Sequence, residues 1–105
     1  MTKTEIQKRI TKNGVAISLD DFCWDEKTKT ISTSACGYNF DFENMSDCTI
    51  KTGDSCTIKT GSNCTIKTGW SCTIDTGWSC TIDTGWSCTI KTGDSCTIKT
   101  GSNCT

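Results

Sequence analysis

Thiols are the side chains whose chemistry stands out in this sequence, because ten of its 105 residues are Cys. Eight of them recur at intervals of eight residues, at Cys48, Cys56, Cys64, Cys72, Cys80, Cys88, Cys96 and Cys104. Thiolates bind soft metals such as Cu(I) or Zn, so the spacing is compatible with a metal-binding Cys ladder. Zinc sites, however, usually space their ligands about two to four residues apart and gather them at one point. Buried Cys behaves as a small apolar residue, and we predict core thiols and no metal site.

The rest of the composition argues against catalysis and nucleic-acid binding. His, the commonest general base and proton switch, is absent. The 11 basic and 12 acidic residues give a formal net charge of −1, so the basic field that a phosphate-backbone binder needs is missing. We therefore predict a non-enzymatic protein with no catalytic residues, no cofactor and no nucleic-acid partner.

Membrane and export signals are also missing from the sequence. No stretch approaches the roughly 20 apolar residues of a membrane span, and the N-terminus lacks an apolar run. We therefore expect a cytoplasmic protein that has no membrane partner. The Cys content would suit a secreted disulfide scaffold, but the regular spacing and the missing export signal argue for free thiols.

A repeat of eight residues fills the second half of the chain. Seven octads follow one another without insertion from residue 48 to residue 103, and Cys104-Thr105 begins an eighth. Cys, Thr, Ile, Thr and Gly are fixed at octad positions one, two, three, five and six, as in CTIKTGDS and CTIDTGWS. A fixed period of this kind indicates stacked structural units.

Each octad has the pattern of one short strand and one corner. Alternation directs Cys and Ile to one face, and the intervening Thr and Lys or Asp to the other. Gly at position six predicts a left-handed or other non-β conformation, and turn-forming Ser, Asn or Asp residues follow it. Stacking such strands about 4.7 Å apart buries the Cys and Ile column. The sequence therefore predicts a mainly β fold, a β-solenoid (β-helix) of octapeptide repeats. We favour two octads, or 16 residues, per coil, with three octads per coil as the alternative.

The predicted core ladder combines two sets of repeat side chains. Phe40 and Phe42 fall at the Cys and Ile positions when the octad frame is extended by one unit, so we expect the solenoid to occupy residues 40–105. The ladder consists of Cys48, Cys56, Cys64, Cys72, Cys80, Cys88 and Cys96 with Ile50, Ile58, Ile66, Ile74, Ile82 and Ile90.

Residues 1–39 are predicted to form a small α+β cap on the N-terminal end of the solenoid. The spacing of Thr4 and Gln7 is that of a capping box, Ile6 and Ile10 lie on one helical face, and Asn13-Gly14 is a helix stop, so we expect a helix over residues 4–13. We expect a strand over residues 15–19 and a hairpin that pairs residues 22–24 with residues 28–32.

The octad pattern Cys-Thr-x-x-Thr-Gly-x-Asn/Ser, preceded by Phe22-Cys23-Trp24 and the polar hairpin after it, resembles a family of uncharacterised octapeptide-repeat proteins of phages and some bacteria. The resemblance covers nearly the whole chain. It implies a β-solenoid and a viral setting, in the host cytoplasm or the virion. No functional residues can be carried over from this family.

Two outward features suggest surfaces for interaction. Trp70, Trp78 and Trp86 stand at octad position seven, where exposed aromatics typically mark a contact surface; the alternative is that each ring covers a neighbouring turn. The outward Thr row resembles the flat Thr arrays of ice-binding proteins, although Lys or Asp at the next outward position would interrupt the lattice match.

The C-terminal end of the repeat array shows no closing element in the sequence. The last rung should leave Ile98, Cys104 and Thr105 uncovered, and an exposed strand edge is a template for pairing. We therefore predict a structural or interaction protein, a rigid rod that forms a tail-to-tail homodimer. An ice-binding protein and a soft-metal-binding Cys ladder are the second and third alternatives.

Overall fold

The computed structural model describes residues 2–34, 36–43 and 45–105. These residues form a short helix, α1 (Lys3–Gln7), a 3-10 helix (Leu19–Asp21) and twelve short strands. The strands are β1 (Ile10–Lys12), β2 (Val15–Ala16), β3 (Cys23–Asp25), β4 (Thr30–Ser32), β5 (Tyr38–Phe42), β6 (Thr49–Lys51), β7 (Thr57–Thr60), β8 (Thr65–Lys67), β9 (Thr73–Asp75), β10 (Thr81–Asp83), β11 (Thr89–Lys91) and β12 (Thr97–Lys99).

The strands form two six-stranded sheets that enclose one core. The first sheet has the order β2, β1, β5, β7, β9, β11, and the second has the order β3, β4, β6, β8, β10, β12. Pairing is parallel from β5 onward in the first sheet and from β4 onward in the second. Successive octads therefore alternate between the sheets, as a coil of two strands requires.

The register between coils confirms the predicted β-solenoid with 16 residues per coil. In the second sheet Ile66 lies opposite Ile82, and Ile82 lies opposite Ile98. The first sheet has the same offset, with Ile58 opposite Ile74. Because every repeat strand pairs with the strand two octads away, the alternative of three octads per coil is excluded.

Three positions of each octad point inward. Cys and Ile at positions one and three are almost fully buried in the coils between residues 48 and 88. Thr at position five is buried as well in Thr60, Thr76 and Thr84. Its hydroxyl donates to the carbonyl of the Gly that follows, at 3.2 Å in Thr76 and Thr84. The sequence-based prediction assigned no face to this Thr, which the strict alternation of positions one, three and five would have placed inside.

Backbone hydrogen bonds between coils extend around the corners. The amide of Thr81 donates to the carbonyl of Cys64 at 2.9 Å, and the amide of Gly77 donates to that of Gly61 at 3.1 Å. At the corner, the amide of Ser79 donates to the carbonyl of Asp94 at 2.9 Å. Strand and corner amides are thus satisfied by the coil before or the coil after, as buried backbone requires.

The corners exclude one of the two conformations predicted for Gly at position six, the left-handed one. The left-handed residue is at position eight, where Asn63 and Ser79 have φ of 59° and 57°. No repeat Gly among the described residues has positive φ. A Cβ on Gly77 would instead lie 3.1 Å from the carbonyl carbon of Gly61 and 2.8 Å from Oγ of Ser62. Gly is therefore needed because the corner backbones of adjacent coils stack closely.

The N-terminal helix is shorter than predicted. It spans Lys3–Gln7, and Thr2 and Glu5 form its capping box in place of Thr4 and Gln7. The expectation of a helix as far as residue 13 is wrong, because residues 10–12 form β1 and pair with β5 along the edge of the first sheet. Asn13 and Gly14 both have positive φ and form the turn between β1 and β2, which is the conformation that an Asn-Gly hairpin turn favours.

The segment after β2 also differs in part from the prediction. The expected strand over residues 15–19 ends at Ala16, because local capping favours a 3-10 helix after Ser18. The Ser18 Oγ accepts from the amide of Asp20, and the Asp21 carboxylate accepts from the amide of Ser18. The predicted hairpin of residues 22–24 with residues 28–32 is confirmed, since β3 and β4 pair antiparallel with Trp24 opposite Ile31.

The frame predicted for Phe40 and Phe42 is wrong by two residues. Phe40 lies opposite Ile58, and Phe42 lies opposite Thr60, so they hold octad positions three and five rather than one and three. Both frames keep the two rings inside, so the hydrophobic pattern could not choose between them. The connection after β5 is two residues longer than in the repeats, and this difference sets the register. Strand β4, within the predicted cap of residues 1–39, already belongs to the parallel ladder of the second sheet.

Candidate functional surfaces

The repeat thiols form two columns inside the solenoid. All ten Cys are free thiols; the six from Cys48 to Cys88 in the repeats are buried, and Cys96 and Cys104 are half-buried. The thiol of Cys72 donates toward the carbonyls of Gly53 and Trp70, with Sγ 3.6 and 3.5 Å from the two oxygens. Its sulfur accepts from the amide of Cys56 at 3.4 Å. The thiols thus satisfy backbone groups at the corners while they fill the core.

Burial and hydrogen bonding shift the pKa values of the buried repeat thiols, some upward and some downward. Burial raises the pKa of the thiols of Cys80 and Cys88. In the hydrogen-bonded pairs Cys48–Cys64 and Cys56–Cys72, the hydrogen bond raises the pKa of one thiol, Cys48 or Cys72. The same hydrogen bond lowers the pKa of the other thiol, to about 6 in Cys64 and to about 7 in Cys56. Because the thiolate is the form that reacts and binds metals, the raised pKa values disfavour both chemistries at Cys48, Cys72, Cys80 and Cys88. The thiols of Cys56 and Cys64 ionise more easily, and it is their burial that keeps reagents and metals away.

The core does not present the thiols as a metal site. Within residues 2–34, 36–43 and 45–105, no three Cys, Asp or Glu side chains gather as metal ligands would. Cys is spread along the solenoid, with one thiol per octad. The candidates for function are therefore the surfaces of the molecule.

The three repeat Trp residues lie on two opposite edges of the solenoid. Trp70 and Trp86 share the first edge, and their ring centroids are 5.6 Å apart at an angle of 61°. Trp78 lies on the second edge, half a coil away. The rings are 48%, 53% and 62% exposed for Trp70, Trp86 and Trp78, so they cover the neighbouring turns only in part.

A shallow apolar groove accompanies the Trp pair on the first edge. It has a volume of about 430 Å³, and its walls are the rings of Trp70 and Trp86 with the glycines of three successive coils and Ser102. At the start of this edge, Asp54 Oδ1 accepts from the amide of Trp70 at 3.0 Å and orders the corner. Because the neighbouring glycines have no side chains, the two Trp rings protrude from the surface of this edge.

The outward faces of the sheets carry two rows of polar residues each. On the second sheet, five Thr lie in register from coil to coil: Thr30, Thr49, Thr65, Thr81 and Thr97. The row beside them consists of Ser32, Lys51, Lys67, Asp83 and Lys99. The first sheet has a mixed row beginning with Asn39 and a charged row in which Asp41, Lys59, Asp75 and Lys91 alternate.

A cavity of about 500 Å³ lies where the N-terminal hairpin meets the first sheet. It is lined by Lys8, Arg9, Thr11, Asn39, Phe40, Asp41, Thr57 and Lys59. The sequence-based prediction missed this cluster. The adjacent Lys8 and Arg9 were visible in the sequence, but Lys59 joins them only through the pairing of β1, β5 and β7.

The last rung of the described chain is formed by β11 and β12. Strand β12 pairs with β10 and has no second partner strand among the described residues. Ile98 on this strand is 43% exposed, and Ile90, Cys96 and Cys104 are half-buried. Thr105 bonds to β11, since its amide donates to the carbonyl of Cys88 and its carbonyl accepts from the amide of Ile90, both at 2.8 Å.

Comparison of the chain with protein-family models, curated proteins and solved structures finds no match. The resemblance to the octapeptide-repeat family therefore stays a prediction. Over the part of the chain that the structure describes, no helix is long and apolar enough to cross a membrane.

Proposed function

We propose that this protein is a non-enzymatic structural or interaction protein, a rigid β-solenoid rod that self-associates through the rung formed by β11 and β12. The exposure of Ile98 carries the proposal. Ile50, Ile66 and Ile82 occupy the same column and are fully buried, because a following coil covers each of them. Ile98 has no such cover within the described chain.

The edge of β12 offers hydrogen bonds as well as apolar surface. An unpaired strand edge is a template for another strand, and pairing with a second copy would satisfy its free amides and carbonyls. Two copies of β12 related by a two-fold axis run antiparallel, which is an allowed pairing geometry. Such a dimer is closed, because the interface is used up by the two copies. Their N-terminal ends, which carry α1, point away from each other.

The experiment is light scattering on the 105-residue chain over a concentration series from low to high micromolar. The mass should rise toward that of a dimer. Ile98→Lys should keep the chain monomeric, because a charge then occupies the surface to be buried. Thr97→Lys, one residue away on the outward face, is the matched control and should still dimerise. A wild-type chain that is monomeric throughout, or an Ile98→Lys variant that dimerises like the wild type, would contradict the proposal.

An ice-binding role is the second candidate, and the unbroken row of five Thr on the second sheet favours it. The charged row beside it argues against a flat lattice match, which is why this function ranks second. Thermal hysteresis of the wild-type chain would favour ice binding if Thr81→Lys abolished it. Thr73→Lys, on the first sheet, is the control and should leave the hysteresis intact. No hysteresis at millimolar protein would exclude it.

A further inference from the structure

The cavity beside the N-terminal hairpin gathers an unusual share of the chain's positive charge. Arg9, the single Arg of the sequence, lines it together with Lys8 and Lys59. Asp41 is the one acidic residue in the lining. Strand pairing fixes the arrangement, because the amide of Asp41 donates to the carbonyl of Arg9 at 2.8 Å and Asp41 lies opposite Lys59.

The three cations are available to a ligand. Arg9 is half-buried, and its Nη1 lies 3.5 Å from the carbonyl oxygen of Asp41, at the limit of hydrogen bonding. Among the described residues, no salt bridge joins Arg9, Lys8 or Lys59 to a carboxylate. Thr11, Asn39 and Thr57 add side-chain donors in a row beside the charges.

We propose that this cavity binds the phosphate group of a small phosphomonoester. A guanidinium offers paired donors that match phosphate oxygens, and two ammonium groups add charge around them. The cavity volume of about 500 Å³ is larger than a bare phosphate ion would fill and lies in the range of small-molecule sites. The hydroxyl and amide groups of Thr11, Asn39 and Thr57 are placed to bond to the polar body of the ligand.

Asp41 allows a test in which the binding affinity should change in opposite directions when a negative or a positive charge is removed. Asp41 lies on β5 next to Arg9 on one side and Lys59 on the other, and its negative charge opposes an anion in the cavity. Removing this charge should tighten binding, whereas removing either cation should weaken it. A merely structural role for these side chains would not produce opposite effects.

The experiment measures binding of ribose 5-phosphate to the ¹⁵N-labelled chain by amide chemical shifts, with ribose and inorganic phosphate as parallel probes. Ribose 5-phosphate should give saturable shifts in β1, β5 and β7, inorganic phosphate should bind more weakly, and ribose should not bind. Arg9→Gln and Lys59→Gln should each weaken binding about tenfold, as expected for loss of a charge-assisted hydrogen bond. Asp41→Asn should tighten it.

Lys67→Gln is the matched control, because Lys67 holds the octad position of Lys59 on the opposite sheet and lies outside the cavity. It should leave the affinity unchanged. Circular dichroism of each variant checks that the fold is retained, which the outward position of these side chains predicts. Any of three results would overturn the proposal. The first is the absence of saturable shifts with ribose 5-phosphate at about 10 mM. The others are equal affinity for inorganic phosphate and ribose 5-phosphate, and equal weakening of binding by Lys67→Gln and Lys59→Gln.

Discussion

Alternating side chains determine which residues of each octad fill the core. Ile74 is 1% exposed and packs in the Ile column, while Thr73 and Asp75 on either side are exposed. Cys suits the position next to the corner because it is small and its thiol can donate to a nearby carbonyl, as Cys88 does to Gly69 at 3.5 Å. Apolar burial and corner hydrogen bonding thus come from the same residue.

Ile74→Asp should abolish folding, whereas Thr73→Asp should change stability by no more than about 0.5 kcal/mol. The first substitution buries an unpaired charge between two sheets, and the second adds a charge to a solvated face. Circular dichroism and urea unfolding of the two variants measure the difference. Equal damage from both would show that the inward and outward faces are assigned wrongly.

At the scale of residues, the sequence predicts the inward positions of Cys and Ile because strand alternation is local. The role of Gly at position six could not be predicted in the same way. Its requirement is the approach of Gly61 to Gly77 between coils, a contact of residues sixteen apart that depends on the coil length.

Each corner combines a closely stacked Gly with a left-handed residue two positions later. Gly61 and Gly77 are joined by a hydrogen bond of 3.1 Å, which leaves no room for a side chain. Ser79 at φ 57° carries the turn that returns the chain to the other sheet. Position six therefore excludes a side chain for lack of space, whereas position eight accepts one but requires a left-handed backbone.

Gly77→Ala should destabilise the fold by about 1–3 kcal/mol, because the added methyl would force the corners of adjacent coils apart. Ser79→Gly should leave stability unchanged or raise it by up to about 1 kcal/mol, because Gly adopts positive φ without steric cost. Thermal unfolding of the two variants tests this contrast. If Ser79→Gly were the more damaging change, the assignment of roles within the corner would be wrong.

At the scale of elements, the repeat strands and the second hairpin could be predicted, because period and turn residues are encoded locally. The N-terminal helix was predicted too long because Ile6 and Ile10 have helical spacing. Both side chains are buried, but Ile10 reaches the core from β1, where it lies opposite Phe40. That pairing depends on a distant strand and is not visible in the local pattern.

Burial of the thiols predicts how the whole molecule responds to alkaline pH. The pKa values of Cys80 and Cys88 are raised by burial, and those of Cys48 and Cys72 by hydrogen bonding to neighbouring thiols. The same hydrogen bonds lower the pKa values of the partner thiols Cys64 and Cys56 to about 6 and about 7, so each pair gives up one proton early and keeps the other. The folded state therefore holds the protons of the four raised thiols to higher pH than the unfolded chain does. The stability that they contribute is complete below the ordinary thiol pKa of about 8.5 and is lost as pH rises above it.

The urea concentration at the midpoint of unfolding should therefore decrease as the pH rises from about 8.5 to about 10. A variant in which exposed Cys23 and Cys36 are both replaced by Ser is the control and should show the same fall, because these two thiols are not in the core. A midpoint that stays constant over this range would mean that the repeat thiols are not protected from ionisation.

At the scale of the molecule, the placement of the Trp residues followed from the coil length alone. Two octads per coil put Trp70 and Trp86 on one edge and Trp78 on the other, and the contact of the first two rings agrees with this placement. The basic cavity could not be predicted. Arg9 and Lys59 lie fifty residues apart in the chain and meet only because β1 and β7 flank β5 in one sheet.

Each coil contains two octads, and the hydrogen bonds between coils test this arrangement directly. Scalar couplings across hydrogen bonds, measured by NMR on the ¹⁵N,¹³C-labelled chain, identify the carbonyl to which each amide donates. The structure predicts couplings from Thr65 to Cys48, from Thr81 to Cys64 and from Thr97 to Cys80, where the N···O distances are 2.8, 2.9 and 2.9 Å. A coil of three octads would instead join the amide of Thr81 to the carbonyl of Cys56. Observing that coupling in place of the one to Cys64 would contradict the account.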